Sequence, residues 1–376
     1  MGNMRNVAFL IKPSSSACNM RCKYCFYADV ANSREVKFYG NMSEEVLENL
    51  VKRAFDSATE SVTFSFQGGE PTLVGLDFYK KLLSLQKQYN KRNVVVNNTI
   101  QTNGYEIDDE WAIFLAKNDF LVGLSMDGIA EIHDKFRRNS LGNSTFIRVK
   151  STARLFEKYN VKFNVLGVVT EQMAERAVEV YDGLKRYGYI QFIPCLDRLD
   201  GEKSEYSLSN KTYAKFLIET FNRYYADFIK GKPVSVRNFD NYVMMLLGQS
   251  PENCAMCGVC TPMLVVEGDG SVYPCDFYVL DEWKLGDITQ NSVEELLSNP
   301  KASMFEQQSH KRGVECAKCK YFALCGGGCR RECEPIADKE ILKTTYCKAY
   351  CEFFDACIDK LVNMAKIIKN MRSNKY

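Results

Sequence analysis

Histidine is almost missing: His133 and His310 are the only two in 376 residues. Any metal site must therefore be rich in thiolate rather than imidazole, which points to zinc or iron–sulfur. Neither sign of charge is in excess, with 49 basic and 47 acidic side chains and a net charge of +2. That balance argues against a nucleic-acid binder acting through bulk charge. No apolar run approaches the 18 or more residues of a membrane span. The short segment VAFLI near the start stops at Lys12-Pro13, too soon for a signal-peptide core, and reads as a first strand. Met-Gly at the N-terminus lacks the Ser or Thr that myristoylation needs at position six, where Asn6 stands. A cytoplasmic location is expected, with no nucleic-acid and no membrane partner. A Rossmann fold is disfavoured too: no G-x-G-x-x-G follows a strand, and Gly326-Gly327-Gly328 lies between cysteines.

What is abundant is cysteine, at 16 residues. A cytoplasmic chain of this length has neither the need nor the redox environment for a disulfide framework, so metal is the better reading. Apolar residues make up 46%, ordinary for a chain able to bury a sizeable core. Short β-rich runs are expected at VAFLI, Ser61–Phe66, Val94–Ile100, Phe120–Ser125, Lys162–Val168 and Ile190–Pro194. Between them, Ser43–Ser57, Leu76–Tyr89, Asp108–Lys117, Thr145–Tyr159 and Gln172–Tyr187 carry apolar residues at three- and four-residue steps. Six β/α repeats imply a parallel sheet, doubly wound or closed as a barrel. A helical stretch over Lys211–Lys230 then leads to a cysteine-rich region from about 250 to 350.

Four polar clusters follow successive strands. Cys18-Asn-Met-Arg-Cys22-Lys-Tyr-Cys25 follows the first, Gln67-Gly68-Gly69-Glu70-Pro71 the second, Gln101-Thr102-Asn103-Gly104 the third and Ser125-Met126-Asp127-Gly128 the fourth. Each alone reads as a turn. Together they occupy the strand ends that carry chemistry in βα barrels. The first holds three cysteines at C-x3-C-x2-C, one short of the four that close a zinc or iron–sulfur site.

That spacing, with Tyr24 before the third cysteine and GGEP after the second strand, resembles the radical S-adenosylmethionine (SAM) enzymes. The resemblance implies a partial (β/α)6 TIM-type barrel. It also implies a [4Fe–4S] cluster on Cys18, Cys22 and Cys25, whose fourth iron is chelated by SAM. An incomplete thiolate shell leaves an open position for a ligand that is also a reactant. By the same resemblance Gly68, Gly69 and Glu70 meet the methionyl amine, and Gln101, Asn103, Ser125 and Leu196 surround the rest of SAM. Zinc or redox-thiol chemistry remains the alternative for the three cysteines.

Further on, Cys260, Gly270 and Cys275 are followed by Cys316, Cys319, Cys325 and Cys329 at C-x2-C-x5-C-x3-C, and then Cys347. This resembles the SPASM extension, which holds two auxiliary [4Fe–4S] clusters, making three in all. With Cys254 included, one set is Cys254, Cys260, Cys275 and Cys329, and the other Cys316, Cys319, Cys325 and Cys347. Two all-cysteine zinc sites are the alternative. Cys195, Cys257, Cys333, Cys351 and Cys357 are left over, and free cysteine is commonly a small buried hydrophobe. Cys257, Cys333 and Cys351 could nevertheless compete as ligands. The implied organisation is a radical SAM barrel over 1–235, a SPASM domain over 236–350 and a C-terminal helix over 351–376.

The stretches LIKPSSSACNMRCKYCFY, FSFQGGEPTL, LVGLSMDG and VVEGDGSVYPCDFYVLDEWKLGDI are similar to the anaerobic sulfatase-maturating enzymes. That resemblance implies oxidation of a sulfatase Cys or Ser, within Cys/Ser-x-Pro-x-Arg, to Cα-formylglycine. It makes Asp276 the general base and offers Tyr24 and Gln67 as substrate contacts. A base must lie within reach of the proton it takes, and an ordinary aspartate suffices once oxidation has made that proton acidic. The alternative role for Asp276 is to orient a cluster ligand. Arg237 reads as a solvated or salt-bridged residue. The implied partners are an unfolded sulfatase segment and a flavodoxin or ferredoxin donor, with a monomer as the default. A SPASM maturase building thioether or carbon–carbon crosslinks is the alternative function. Such enzymes usually carry a peptide-recognition domain before the cluster motif, for which Cys18 comes early.

Overall fold

The computed structural model describes residues 4–310, 313–333 and 343–373. In chain order the strands are β1 (Met4–Ile11), β2 (Ala58–Phe66), β3 (Val95–Thr102), β4 (Leu121–Ser125), β5 (Lys162–Val169), β6 (Tyr189–Pro194), β7 (Ser235–Val236), β8 (Leu264–Val266), β9 (Ser271–Tyr273) and β10 (Gly286–Asp287). Two compact units share them. One comprises Met1–Ser125, Phe136–Phe163 and Thr261–Phe305; the other Met126–Lys135, Asn164–Cys260 and Glu306–Tyr376.

In the first unit the strands run β10-β9-β8-β1-β2-β3-β4. β1 pairs parallel with both β2 and β8, and β2, β3 and β4 continue parallel, whereas β8–β9 and β9–β10 are antiparallel. Register does the functional work here. Ile11 stands opposite Phe66 on one side and Val266 on the other. The next residues, Lys12, Gln67 and Glu267, are thereby brought level at the strand ends.

The strands alternate with period two. On β2, Val62, Phe64 and Phe66 are buried while Thr63 and Ser65 are half-buried. On β3, Ile100 and Thr102 are buried while Thr99 and Gln101 are half-buried. Residues two apart share a face. The apolar face packs Phe66 against Tyr79 of helix Leu76–Tyr89, ring centroids 5.1 Å apart. The opposite face collects Gln67 and Gln101 at its carboxyl end. The helices start as their sequences lead one to expect. Ser43 caps Glu44–Ser57 by accepting from the amide of Val46, and Asp108 caps Asp109–Lys117 by accepting from that of Trp111.

In the second unit β5, β6 and β7 are parallel. Helices Asn210–Ile229, Arg237–Leu246 and Cys347–Ser373 form an aromatic core in which Phe221 meets Phe239 at 5.1 Å and Phe353 at 5.6 Å. The helix expected over Gln172–Tyr187 is broken. Its parts are Glu171–Glu175, capped by Thr170, Ala177–Leu184 and a 3-10 turn over Lys185–Tyr187. Arg176 leaves helical geometry between them, at φ −113° and ψ 35°. The helix expected over 351–376 begins four residues earlier, at Cys347, and residues 374–376 lie outside the described residues. Among the described residues no helix is long and apolar enough to cross a membrane.

Candidate active site

The three N-terminal cysteines sit on a loop that is bolted to the one after β2. The amide of Gly69 donates to the Ser15 carbonyl at 2.8 Å and that of Glu70 to the Ala17 carbonyl at 2.8 Å. Ser14 Oγ returns a bond to the Glu70 carbonyl at 2.6 Å. The contact is so close that a Cβ on residue 69 would lie 1.9 Å from the Ala17 oxygen, so glycine is required there. Gly68 adds a positive φ of 126°. Cys25 occupies the cap position of helix Phe26–Asn32, and Cys18, Cys22 and Cys25 are all partly exposed.

Glu70 is 1% exposed, and its carboxylate is turned inward. Oε1 accepts from Thr72 Oγ1 at 2.8 Å and Thr102 Oγ1 at 2.7 Å, and Oε2 from the Asn103 amide at 2.8 Å. This ties the ends of β2 and β3 together. Burial raises the pKa of Glu70 above the ordinary carboxyl value, although these bonds pull it back. Asn103 Nδ2 reaches toward Cys18 Sγ at 3.8 Å and Asn19 Oδ1 at 2.8 Å. Gln101 Nε2 donates to Ser125 Oγ at 2.9 Å. Leu196 is half-buried just beyond β6 in the second unit.

Burial pushes the Cys18 thiol up to about 12, with Glu70 adding to it, and raises Cys25 as well. Such thiols hold their protons until a metal provides compensating positive charge. Tyr24 is 8% exposed; its hydroxyl accepts from Arg137 Nη1 at 3.1 Å and its ring lies 6.0 Å from that of Phe136.

Asp276 is the focus of a second set of contacts. Lys12 Nζ pairs with its Oδ1 and Gln67 Nε2 donates to its Oδ2. The Lys12 side chain is fully buried, against 13% exposure for that of Asp276. Its ammonium also sits 3.6 Å from the centroid of the Tyr27 ring. Tyr27 hydrogen-bonds through its hydroxyl to Glu267, which pairs with Arg34 Nη1 at 2.9 Å. Burial pushes Glu267 up to about 7, against the pull of Lys12. Sequence reasoning did not single out Lys12, Tyr27, Arg34 or Glu267. The available signal was a lysine closing an otherwise apolar strand, directly before proline.

In the second unit a cavity of about 210 Å3 is lined by Cys316, Cys319, Cys325, Cys347 and Cys351, with Phe322 and Phe354 among its walls. Burial pushes Cys325 up to about 12 and raises Cys254. Among the described residues no three His, Cys, Asp or Glu are placed to hold a single metal ion. A zinc ion draws its sulfurs onto bonds of about 2.3 Å. A roomy thiol-lined cavity suits an iron–sulfur cluster better. Cys275 belongs to the first unit, and Cys254, Cys260 and Cys329 to the second.

The chain matches the Radical SAM superfamily over residues 13–183 and the SPASM iron–sulfur cluster-binding domain over 254–320. A cysteine-type anaerobic sulfatase-maturating enzyme of Clostridium perfringens is 47% identical over 97% of this chain and 100% of the relative. The chain belongs to the anaerobic sulfatase-maturating enzymes. It is 42% identical to a second cysteine-type member, from Clostridium novyi, over 97% of this chain and 99% of that one. A serine-type member from Bacteroides thetaiotaomicron is 31% identical, over 97% and 92%. The structure of anSMEcpe with bound AdoMet and Cp18Cys peptide superimposes with a TM-score of 0.92 at 46% identity, covering 96% of this chain and 99% of that one. The fold class is thus a radical SAM α/β domain with a C-terminal SPASM domain.

Proposed function

We propose that this radical SAM oxidoreductase converts a cysteine of a sulfatase polypeptide, within Cys-x-Pro-x-Arg, to Cα-formylglycine. The observation that carries this reading is the clamped carboxylate of Asp276, one residue from Cys275, in a chain of this family. Cysteine is preferred over serine as the target because the relatives at 42–47% identity are cysteine-type and those at 28–31% are serine-type.

The cofactors are iron–sulfur clusters, three in number, and SAM. When bound, they supply a hydrogen-abstracting radical at one end of the reaction and an electron acceptor at the other. Cys18, Cys22 and Cys25 hold the SAM-binding cluster. Gly68 and Gly69 offer backbone groups to the methionyl amine while Glu70 fixes their loop, and Gln101, Asn103 and Ser125 flank the rest of SAM. Leu196, and the auxiliary set Cys254, Cys260, Cys275 and Cys329, rest on the family resemblance. The second auxiliary set is Cys316, Cys319, Cys325 and Cys347. The division into a barrel over 1–235, a SPASM domain over 236–350 and a closing helix over 351–376 rests on the same resemblance.

On the substrate, Cβ loses a hydrogen atom, the thiol loses a proton and one electron departs, leaving a thioaldehyde. Water then replaces sulfur, releasing hydrogen sulfide and leaving the aldehyde. Asp276 takes the thiol proton. Lys12 and Gln67 hold one carboxylate oxygen each, so the base is oriented before substrate arrives. Gln67 and Tyr24 face the reacting side chain. A flavodoxin or ferredoxin supplies electrons, and the enzyme works as a cytoplasmic monomer.

The test is anaerobic turnover of a Cys-x-Pro-x-Arg peptide with SAM and a reductant, read by mass spectrometry. The expected product is the aldehyde. Formation of 5′-deoxyadenosine with an unchanged peptide would sink the substrate assignment. Asp276→Asn should lower aldehyde formation by about 10²–10⁴-fold, the usual contribution of a positioned base, while 5′-deoxyadenosine still appears. A full aldehyde yield in that variant would remove Asp276 as the base. Streptococcus suis SuiB, a likeness at 17% identity and TM-score 0.64, shares the fold alone.

A further inference from the structure

The cavity in the second unit has one cysteine too many. A cubane cluster there takes four thiolates, yet five cysteines face the space: Cys316, Cys319, Cys325, Cys347 and Cys351. The last two belong to one helix, Cys347–Ser373, and stand four residues apart at its start. That spacing puts two side chains on one helical face, stacked a turn apart. Cys351 does not turn away into the aromatic core as Cys357 does, which is 1% exposed. Instead it lines the cavity together with Cys347 and Cys319, close enough to interact with both. Two thiols from the same helix therefore address the same corner of the cavity. A third, Cys319 from the Cys316–Cys325 segment, interacts with Cys351.

We propose that Cys351 is a fifth functional cysteine of this cluster site: a thiol donor to the ligand sulfurs of Cys347 and Cys319, and a reserve ligand for Cys347. This rests on the assignment of an iron–sulfur cluster to the cavity. In the first role the S–H of Cys351 hydrogen-bonds to sulfur bound to iron, which is one of the levers that set a cluster's reduction potential. Withdrawing electron density from the ligands favours the reduced cluster and raises the potential. In the second role loss of the Cys347 thiolate leaves one iron open. Cys351 releases its thiol proton to solvent and binds in place of Cys347, with no change in oxidation state. Four residues of helix separate the two sulfurs, so a side-chain rotation and a small shift of the first turn suffice. That first turn is the least constrained part of a helix, because its amides have no partners within the helix.

The experiment is reconstitution with iron and sulfide under anaerobic conditions of four full-length proteins: unsubstituted, Cys351→Ala, Cys347→Ala and the double variant. Iron per chain, the reduction potential of the clusters and the circular dichroism of the fold are measured on each. The unsubstituted chain should hold about twelve iron atoms, since each cubane holds four. A value near four would overturn the cluster assignment itself. With twelve in hand, Cys351→Ala should keep all twelve and lower the potential of one cluster. Cys347→Ala should also keep about twelve, and the double variant should fall to about eight with unchanged circular dichroism. Loss of four iron atoms from Cys347→Ala alone would overturn the reserve-ligand role. An unshifted potential in Cys351→Ala would overturn the donor role. Twelve iron atoms retained by the double variant would assign the replacement ligand elsewhere and overturn the reserve-ligand role.

Discussion

The two cysteine-bearing regions are built in different ways. Cys18, Cys22 and Cys25 ride on a loop whose shape is set by contacts distant in sequence: Gly69 to Ser15, Glu70 to Ala17 and Asn103 to Cys18. The cavity of the second unit is made from short local pieces, helices Val314–Ala317 and Phe322–Cys325, closed by the start of Cys347–Ser373. The first arrangement holds three thiols on a firmly tied loop, one short of the four that close a cluster. The second surrounds its space with five thiols, more than a closed cluster uses. Rigidity from long-range contacts suits a site that must aim a radical. A surplus of local ligands suits one that only stores and passes electrons.

The contrast breaks most sharply at the cysteines themselves. Cys22→Ala should abolish 5′-deoxyadenosine formation altogether, whereas Cys319→Ala should leave that cleavage in place and lower aldehyde yield. Chromatographic quantification of both products checks this; equal loss of 5′-deoxyadenosine in the two variants would erase the distinction. A steric test of the same loop is Gly69→Ala, whose new methyl group would meet the Ala17 carbonyl at 1.9 Å. Backbone must move, so we expect about 1–3 kcal/mol of lost stability by the usual cost of overpacking, with weakened SAM binding seen by calorimetry. A glycine substitution without such contact, Gly75→Ala, should leave SAM binding unchanged, since its Cβ would meet nothing within 4 Å.

Lys12→Met probes the base rather than the cluster. It removes the buried cation from Asp276 and should cost about 3 kcal/mol in denaturant unfolding, the low end for breaking a buried pair, because Gln67 remains as a partner. The last effect concerns Glu267 and is a dependence on pH. Its carboxyl rises from 4.5 when unfolded to about 7 in the folded protein, owing to burial. The native state therefore binds the proton more tightly than the unfolded state does. The stability linked to this group is present below about pH 4.5 and is lost as pH rises through about 7. Glu267→Gln should flatten that slope, as thermal unfolding across the same interval would reveal.

Period and punctuation made much of the fold legible in advance. The helix at Leu76–Tyr89 ends where its apolar spacing predicts, and β1 through β6 appear at their expected runs. The short strands β8, β9 and β10 did not declare themselves, being two or three residues long with no room for a period. The break at Arg176 was hidden for a related reason: both halves of that segment bury apolar residues at helical spacing, so the pattern runs through the interruption.

The candidate site divides along the same line. Spacing alone marked the cysteines, and the polar clusters after each strand marked where they would gather, because these are properties of a few consecutive residues. Glu70 shows the limit. Its place in GGEP was plain, but its inward-facing carboxylate depends on Thr72, Thr102 and Asn103, of which two lie on another strand end. Lys12 and Asp276 are 264 positions apart and meet through a sheet in which β1 pairs with β8 and β8 with β9, the strand that leads into Asp276. The amino-acid sequence by itself determined the chemistry on offer: cysteines at cluster spacing, glycines where backbones must touch and a carboxylate beside a cysteine. The tertiary structure alone decided which charges face one another, since pairing across a sheet is set by register and not by any local pattern.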